Sequence, residues 1–168
     1  MTLKDLVSGW FGKRPSVAER SAKERFWDAQ IYLVIGNSAK MPFPRLTYLG
    51  LKANKKTVFA IDPASGSIEG DRAFADLKSF SGISERPEKI DAAVLELPND
   101  ETARWVSLLA DFGIKKIWIH QDTETPQALQ IAKERGVQVF TGTCAVMYLN
   151  SSFPHSFHRC IMKMTRRY

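Results

Sequence analysis

Short, nearly continuous apolar runs punctuate this chain: QIYLVIG (30–36), TVFAID (57–62), DAAVLEL (91–97), KKIWIH (115–120) and VQVFTG (137–142). Strands that alternate apolar and polar residues have one wet face. These runs barely alternate, so both faces are expected to be covered, as in a parallel sheet held between helix layers.

The stretches between the runs carry the other period. In 44–54, Pro44 suits a first helical turn, and Leu46, Leu49 and Ala53 recur at i, i+3 and i+7. In 99–113, Asn99 or Asp100 can cap, Val106, Leu109 and Ala110 form a stripe, and Gly113 stands where a helix-closing glycine belongs. Thr125, Pro126 and Gly136 bracket a third helix over 125–136, and GDRAFADLKSF (70–80) reads as a shorter one. Strand and helix alternate, which predicts an α/β fold: a doubly wound, Rossmann-like, five-stranded parallel sheet. With the five runs numbered along the chain, right-handed crossovers allow the order 3-2-1-4-5, with the topological switch beside the first strand.

Domain boundaries follow: a helical extension over 1–29, a Rossmann-like domain over 30–150, and a helical tail over 151–168 with its helix at 153–166. The extension breaks near 12–15, and its first piece gathers Leu3, Leu6, Val7, Trp10 and Phe11 on one side. Such a stripe suits packing on its own domain or on a second subunit, a homodimer, better than lying on a membrane surface.

Composition narrows the class. The chain has 168 residues, 44% of them hydrophobic and 25% charged, which suits one domain with a sizeable core and neither a disordered nor a membrane-embedded chain. No apolar run approaches the roughly 20 residues that span a bilayer, so no membrane insertion is expected. The start, MTLKDLVSGW, is charged early and does not read as a secretory signal. Two cysteines, Cys144 and Cys160, are too few for a disulfide scaffold, and a cytoplasmic protein with free thiols is the expectation. The net charge is +6, and Arg159, Lys163, Arg166 and Arg167 concentrate it in the acid-free tail. No nucleic-acid motif accompanies them, so the tail reads as a solvated basic helix and no nucleic-acid partner is expected.

Ligands of open α/β sheets bind beyond the carboxyl ends of the strands, near the switch. After the first run stand Gly36, Asn37, Ser38, Ala39 and Lys40. A glycine lets the chain turn sharply and brings N–H groups near an anion, Ser38 can donate a hydroxyl, and Lys40 or Arg45 can add positive charge. A pyrophosphate fits this description, and so does an ordinary strand-to-helix turn. Neither G-x-x-x-x-G-K-[ST] nor G-x-G-x-x-G is present. Asp62 ends the second run, where an acid can bind the ribose diol of a nicotinamide nucleotide; a turn residue before Pro63 accounts for it equally. Leu97 and Pro98 offer a flat wall for a purine or simply start a helix. Further along the same edge stand His120, Gln121 and Asp122, then Thr141 to Cys144.

Enzymatic signatures are sparse. His120 and Cys144 both follow strands and could pair as base and nucleophile, but no third orienting group or oxyanion motif accompanies them. There is no G-x-S-x-G elbow, and His155, His158 and Cys160 make no recognised zinc pattern. The residues read as a binding module and not an enzyme.

Taken in order, the markers resemble one family. They are Gly36-x-Ser38 after the first strand, Asp62-Pro63 after the second, and Ile68-Glu69-Gly70 followed by Phe74 and Leu77. Ile90-Asp91 opens the third strand, Trp118 and Gln121 mark the fourth, and Cys144 follows the fifth. Over about residues 30–150 the chain resembles the small single-domain CoA-binding proteins, which share their fold with the CoA-binding domain of the succinyl-CoA synthetase α subunit. The resemblance implies that a small nucleotide, coenzyme A or acyl-CoA, binds with its pyrophosphate at the Gly36 turn. Gly36, Ser38, Pro63 and Pro98 carry over as its contacts, with Gln121 and Cys144 nearer the pantetheine arm. It implies no ligase activity, because the ligase's catalytic histidine motif has no counterpart here. The chain also departs from the family pattern, which has Asn-Pro where Asp62-Pro63 stands and a glycine in the loop that here reads QDTETPQ. A carboxylate at 62 opposes a phosphate unless Lys40, Arg45 or another cation compensates. NAD(H) binding, as a redox sensor or a dehydrogenase-like protein, is the alternative that Asp62 supports. A further alternative is a protein-interaction module that kept the fold and lost the ligand.

Overall fold

The computed structural model describes residues 17–149, with side chains from residue 22. The first piece of the N-terminal extension and the helix expected over 153–166 lie outside these residues. The described chain runs α1 (Val17–Phe26), β1 (Ile31–Ile35), α2 (Arg45–Ala53), β2 (Thr57–Ile61), β3 (Ser67–Ile68) and β4 (Asp71–Phe74). It continues through α3 (Leu77–Ser81), β5 (Ala92–Leu95), α4 (Asn99–Asp111), β6 (Lys116–Ile119), α5 (Pro126–Glu134), β7 (Gln138–Phe140) and α6 (Val146–Leu149).

All described strands join one seven-stranded sheet, in the order β3-β4-β2-β1-β5-β6-β7. Every pairing is parallel except that of β3 with β4. The five expected runs are all strands, but the order 3-2-1-4-5 does not hold. The third run, now β5, pairs with β1 on the side away from β2, from Tyr32↔Ala92 to Ile35↔Leu95. Its expected place beside β2 is taken by β4, which comes from the stretch read as a helix over 70–80. Glu69 and Gly70 both have positive φ, 52° and 83°, the geometry of a two-residue hairpin turn between β3 and β4. Asp76 then caps α3 through a reciprocal pair with Ser79, so helix begins only after the strand has ended. The switch does lie beside the first strand, between β1 and β5.

Alternation along each strand sorts the core into two layers. Leu33, Ile35, Ala93, Leu95, Ile117 and Ile119 meet Phe80, Trp105, Val106, Leu109 and Ala128 from α3, α4 and α5. On the other face, Tyr32, Val34, Val94 and Trp118 meet Phe26, Tyr48, Leu51 and Leu149 from the α1, α2 and α6 side. Trp118 is fully buried, with ring centroids of Phe26 at 5.4 Å, Trp27 at 4.8 Å and Tyr148 at 5.1 Å. Phe26 and Trp27 therefore make the end of the N-terminal segment part of the core. Tyr48 and Lys52 of α2 both engage the Asp71 carboxylate, which fastens α2 to the β4 flank.

Candidate functional site

Gly36 leaves β1 buried, its N–H bonded to Ile61 C=O at 3.0 Å. A Cβ here would stand 2.7 Å from both the Phe43 ring and the Pro44 ring, so the turn closes only with glycine. Asn37 shapes the next residues of the turn. Its carbonyl accepts the N–H groups of Lys40 and Met41, its Oδ1 accepts from Ala39 N–H at 3.2 Å, and its Nδ2 donates to Glu101 Oε1 at 2.9 Å. The turn is thus tied to the first turn of α4, across the switch.

Asp62 is drawn into the same turn. Its side chain is fully buried, and its Oδ1 accepts N–H groups from Ser38 at 3.1 Å and Ala64 at 2.9 Å. Its Oδ2 is buried with no hydrogen-bond partner among the described residues. The Ser38 amide, one of the donors a bound anion would use, is already serving a carboxylate. A carboxylate held this way offers no free face to a ribose diol.

The two cations expected to attract phosphate are also engaged. Lys40 Nζ lies 3.0 Å from Asp100 Oδ2 and 2.8 Å from Glu101 Oε1, and these contacts raise its pKa. Arg45 pairs with Glu69 at the hairpin turn. Asp100 and Glu101 sit in the first turn of α4, where the helix dipole favours negative charge. They complement the same helix end that would otherwise attract a phosphate.

Between these groups opens a cleft of about 600 Å³. Asn37, Lys40 and Pro63 bound its inner end, Ala75 to Lys78 form one wall, and Asp100, Glu101, Arg104, Trp105 and Leu108 form the other. It lies at the carboxyl ends of β1, β2 and β4, the edge where open α/β sheets bind ligands. Leu97, read as a wall for a purine, is fully buried in the core, because the β5 run continues inward past the strand's end. The apolar walls belong instead to Pro63, Leu77, Trp105 and Leu108. Pro98 stands half-buried before α4, and its carbonyl accepts the Glu101 N–H at 3.0 Å.

Gln121 and Cys144, both half-buried, mark the far side of the switch, away from the residues that line this cleft. Beside them sequence reasoning missed Glu96, although a carboxylate inside the apolar run AVLEL was the available signal. Glu96 accepts a hydrogen bond from the Thr47 hydroxyl, and its Oε2 lies 3.7 Å from His120 Nδ1. Burial raises the Glu96 pKa above its ordinary value of 4.5, against the opposing pull of Thr47 and His120. Burial also pushes the Cys144 thiol up, and the nearby Glu96 charge adds to that, so the thiol is held in its unreactive form. Glu96 does supply a third group next to His120, but it raises the thiol pKa where a nucleophile would need it lowered.

Glu96 gives a pH prediction. A folded-state pKa above the unfolded one means that the folded protein holds the extra proton between those two values, so stability falls as pH rises through that window. Glu96→Gln keeps an acceptor for Thr47 and carries no charge. Melting curves should converge for the two proteins below pH 4.5 and separate above it, the variant becoming the more stable. A constant gap across pH would mean that Glu96 does not titrate differently on folding.

A family model described as a CoA binding domain matches residues 30–150. The chain belongs to this family. No curated protein matches the chain. Among solved structures, the CoA-binding domain is similar to a hypothetical protein from Pyrococcus horikoshii OT3. That match has TM-score 0.66 and 18% identity, covering 82% of this chain and 95% of the other. A conserved hypothetical protein from Pyrococcus furiosus gives TM-score 0.59 and 18% identity, covering 70% and 97%. A Thermus thermophilus protein gives 0.60 and 16%, covering 77% and 95%. At these identities the structural matches establish the shared fold. Among the described residues of the CoA-binding domain, no helix is long and apolar enough to cross a membrane, and no acidic, histidine or cysteine cluster could hold a metal.

Proposed function

We propose that the protein binds a CoA-type nucleotide, free or acylated, in the cleft beside the Gly36 turn and acts as a binding module, a sensor or carrier. One observation carries this reading: a domain of the CoA-binding family has an open cleft, with apolar and charged walls, at the carboxyl edge next to its switch point. NAD(H) is the weaker ligand, because its support was Asp62 and that carboxylate is fully buried on the Ser38 and Ala64 amides.

A second reading has its own support. The Ser38 amide is taken by Asp62 and the Lys40 ammonium by Asp100 and Glu101, so the turn is satisfied without an anion. A fold that had lost its ligand and works as a protein-interaction module would look this way. Thermal-shift titration with CoA, acetyl-CoA, NAD and NADH separates the readings. A ligand held at 100 times its dissociation constant adds about 2.7 kcal/mol of stability. The proposal expects both CoA compounds to raise Tm and the nicotinamide compounds to leave it unchanged. No shift with any of the four supports the ligand-free reading.

A further inference from the structure

The charges lining the cleft are not equivalent. Lys40, at the inner end, is held between Asp100 and Glu101. Asp76 caps α3 through the Ser79 N–H at 2.7 Å. Two cations remain, Lys78 on the α3 wall and Arg104 on the α4 wall. Both are exposed, and neither is held in an ion pair or a side-chain hydrogen bond among the described residues, although the Lys78 charge acts on the nearby Asp76 carboxylate. Asp100 precedes Arg104 by one helical turn, where such pairs commonly form, yet its Oδ2 goes to Lys40 instead. The cleft is therefore acidic and internally paired at the turn, with two positive charges farther out that no ion pair fixes in place.

Coenzyme A carries a phosphomonoester on its adenosine ribose, at the 3′ position, in addition to its pyrophosphate. In Rossmann-type sites the ribose lies at the carboxyl end of the second strand. Here that end is Asp62-Pro63, and Pro63 lines the same cleft as Lys78 and Arg104. A ribose beside Pro63 would have its 3′ substituent in the same cleft that Lys78 and Arg104 line. A dianionic phosphomonoester there would make charge-assisted hydrogen bonds with a lysine and an arginine that break no ion pair to meet it. The buried Asp62 would repel such a group, and these cations are placed to offset it.

We infer that Lys78 and Arg104 form a phosphomonoester subsite that selects a 3′-phosphorylated nucleotide, coenzyme A over dephospho-CoA or NAD. This rests on the reading of the cleft as a CoA-type site. The test is isothermal titration of the full chain with CoA and with dephospho-CoA, at low and at moderate salt, for the wild type, Lys78→Ala, Arg104→Ala and the double variant. The wild type should bind CoA about tenfold or more tightly than dephospho-CoA at low salt, with the preference shrinking as salt is added. The double variant should bring that ratio close to one. Lys78→Glu should take it below one by repelling the phosphate. Equal affinity of the wild type for the two ligands, or a preference that survives in the double variant, overturns the subsite and leaves the CoA reading standing. Absence of binding by either ligand overturns both together.

Discussion

Gly36→Ala should cost about 2 kcal/mol of folding stability, a fall in Tm of roughly 4–8 °C, and should abolish high-affinity CoA binding. The added methyl carbon would meet the Phe43 and Pro44 rings at 2.7 Å, well inside ordinary contact. Phe43 is buried and the proline ring is stiff, so neither side yields cheaply. Relief would come from shifting residues 36–44, which carry the Asn37 link to Glu101 and the Ser38 amide. Gly66→Ala is the matched control: its Cβ would meet nothing within 4 Å, and its φ is not positive. Melting curves and CoA titrations of the two variants check the prediction, and similar behaviour of both would show that the turn is not closed by steric fit.

Asp62→Asn should tighten CoA binding by about tenfold with the fold preserved, because it removes a buried negative charge beside the expected pyrophosphate position. The asparagine Oδ1 can still accept from Ser38 and Ala64, so the turn keeps both hydrogen bonds. Asp62→Ala separates charge from hydrogen bonding. It leaves those N–H groups without their partner and should cost about 1–3 kcal/mol of stability. Titration of the three proteins with CoA and NAD decides the matter. Weaker CoA binding by Asp62→Asn would mean that the carboxylate assists the ligand, and weaker NAD binding would restore its role toward a ribose diol.

How far the sequence announced these features depended on how local their causes are. The continuous runs became strands because burial on both faces is written in each run itself. Thr125 caps α5 through the Ala128 N–H at 3.1 Å, as its place before Pro126 implied. The 70–80 stretch misled because Phe74, Leu77 and Phe80 repeat every three residues and imitate a helical stripe. What splits them is the positive-φ pair Glu69-Gly70 together with the Asp76 cap, and that split moved a strand into the sheet and changed its order.

The site divides in the same way. The Gly36 turn was visible because a glycine directly after a buried strand marks a place where the chain must bend tightly. The partners that decide its charge were not visible. Lys40 meets Asp100 across 60 positions of sequence, and Asn37 meets Glu101 across 64. Only the parallel pairing of β1 with β5 puts those residues side by side. The carboxylate at 62 departs from the family pattern in the sequence itself, but its burial and its grip on Ser38 follow from the tertiary turn.

Whether a CoA-type ligand lies in the carboxyl-edge cleft is best decided by amide chemical-shift mapping during a CoA titration, which reports both whether binding occurs and where. Saturable shifts should be confined to the backbone around residues 36–40, 62–65, 75–78 and 98–105. No shifts at saturating CoA would contradict binding in this cleft. So would shifts at the opposite edge of the sheet, around Arg25, Asp28, Lys89 and Lys115, where a second cleft opens.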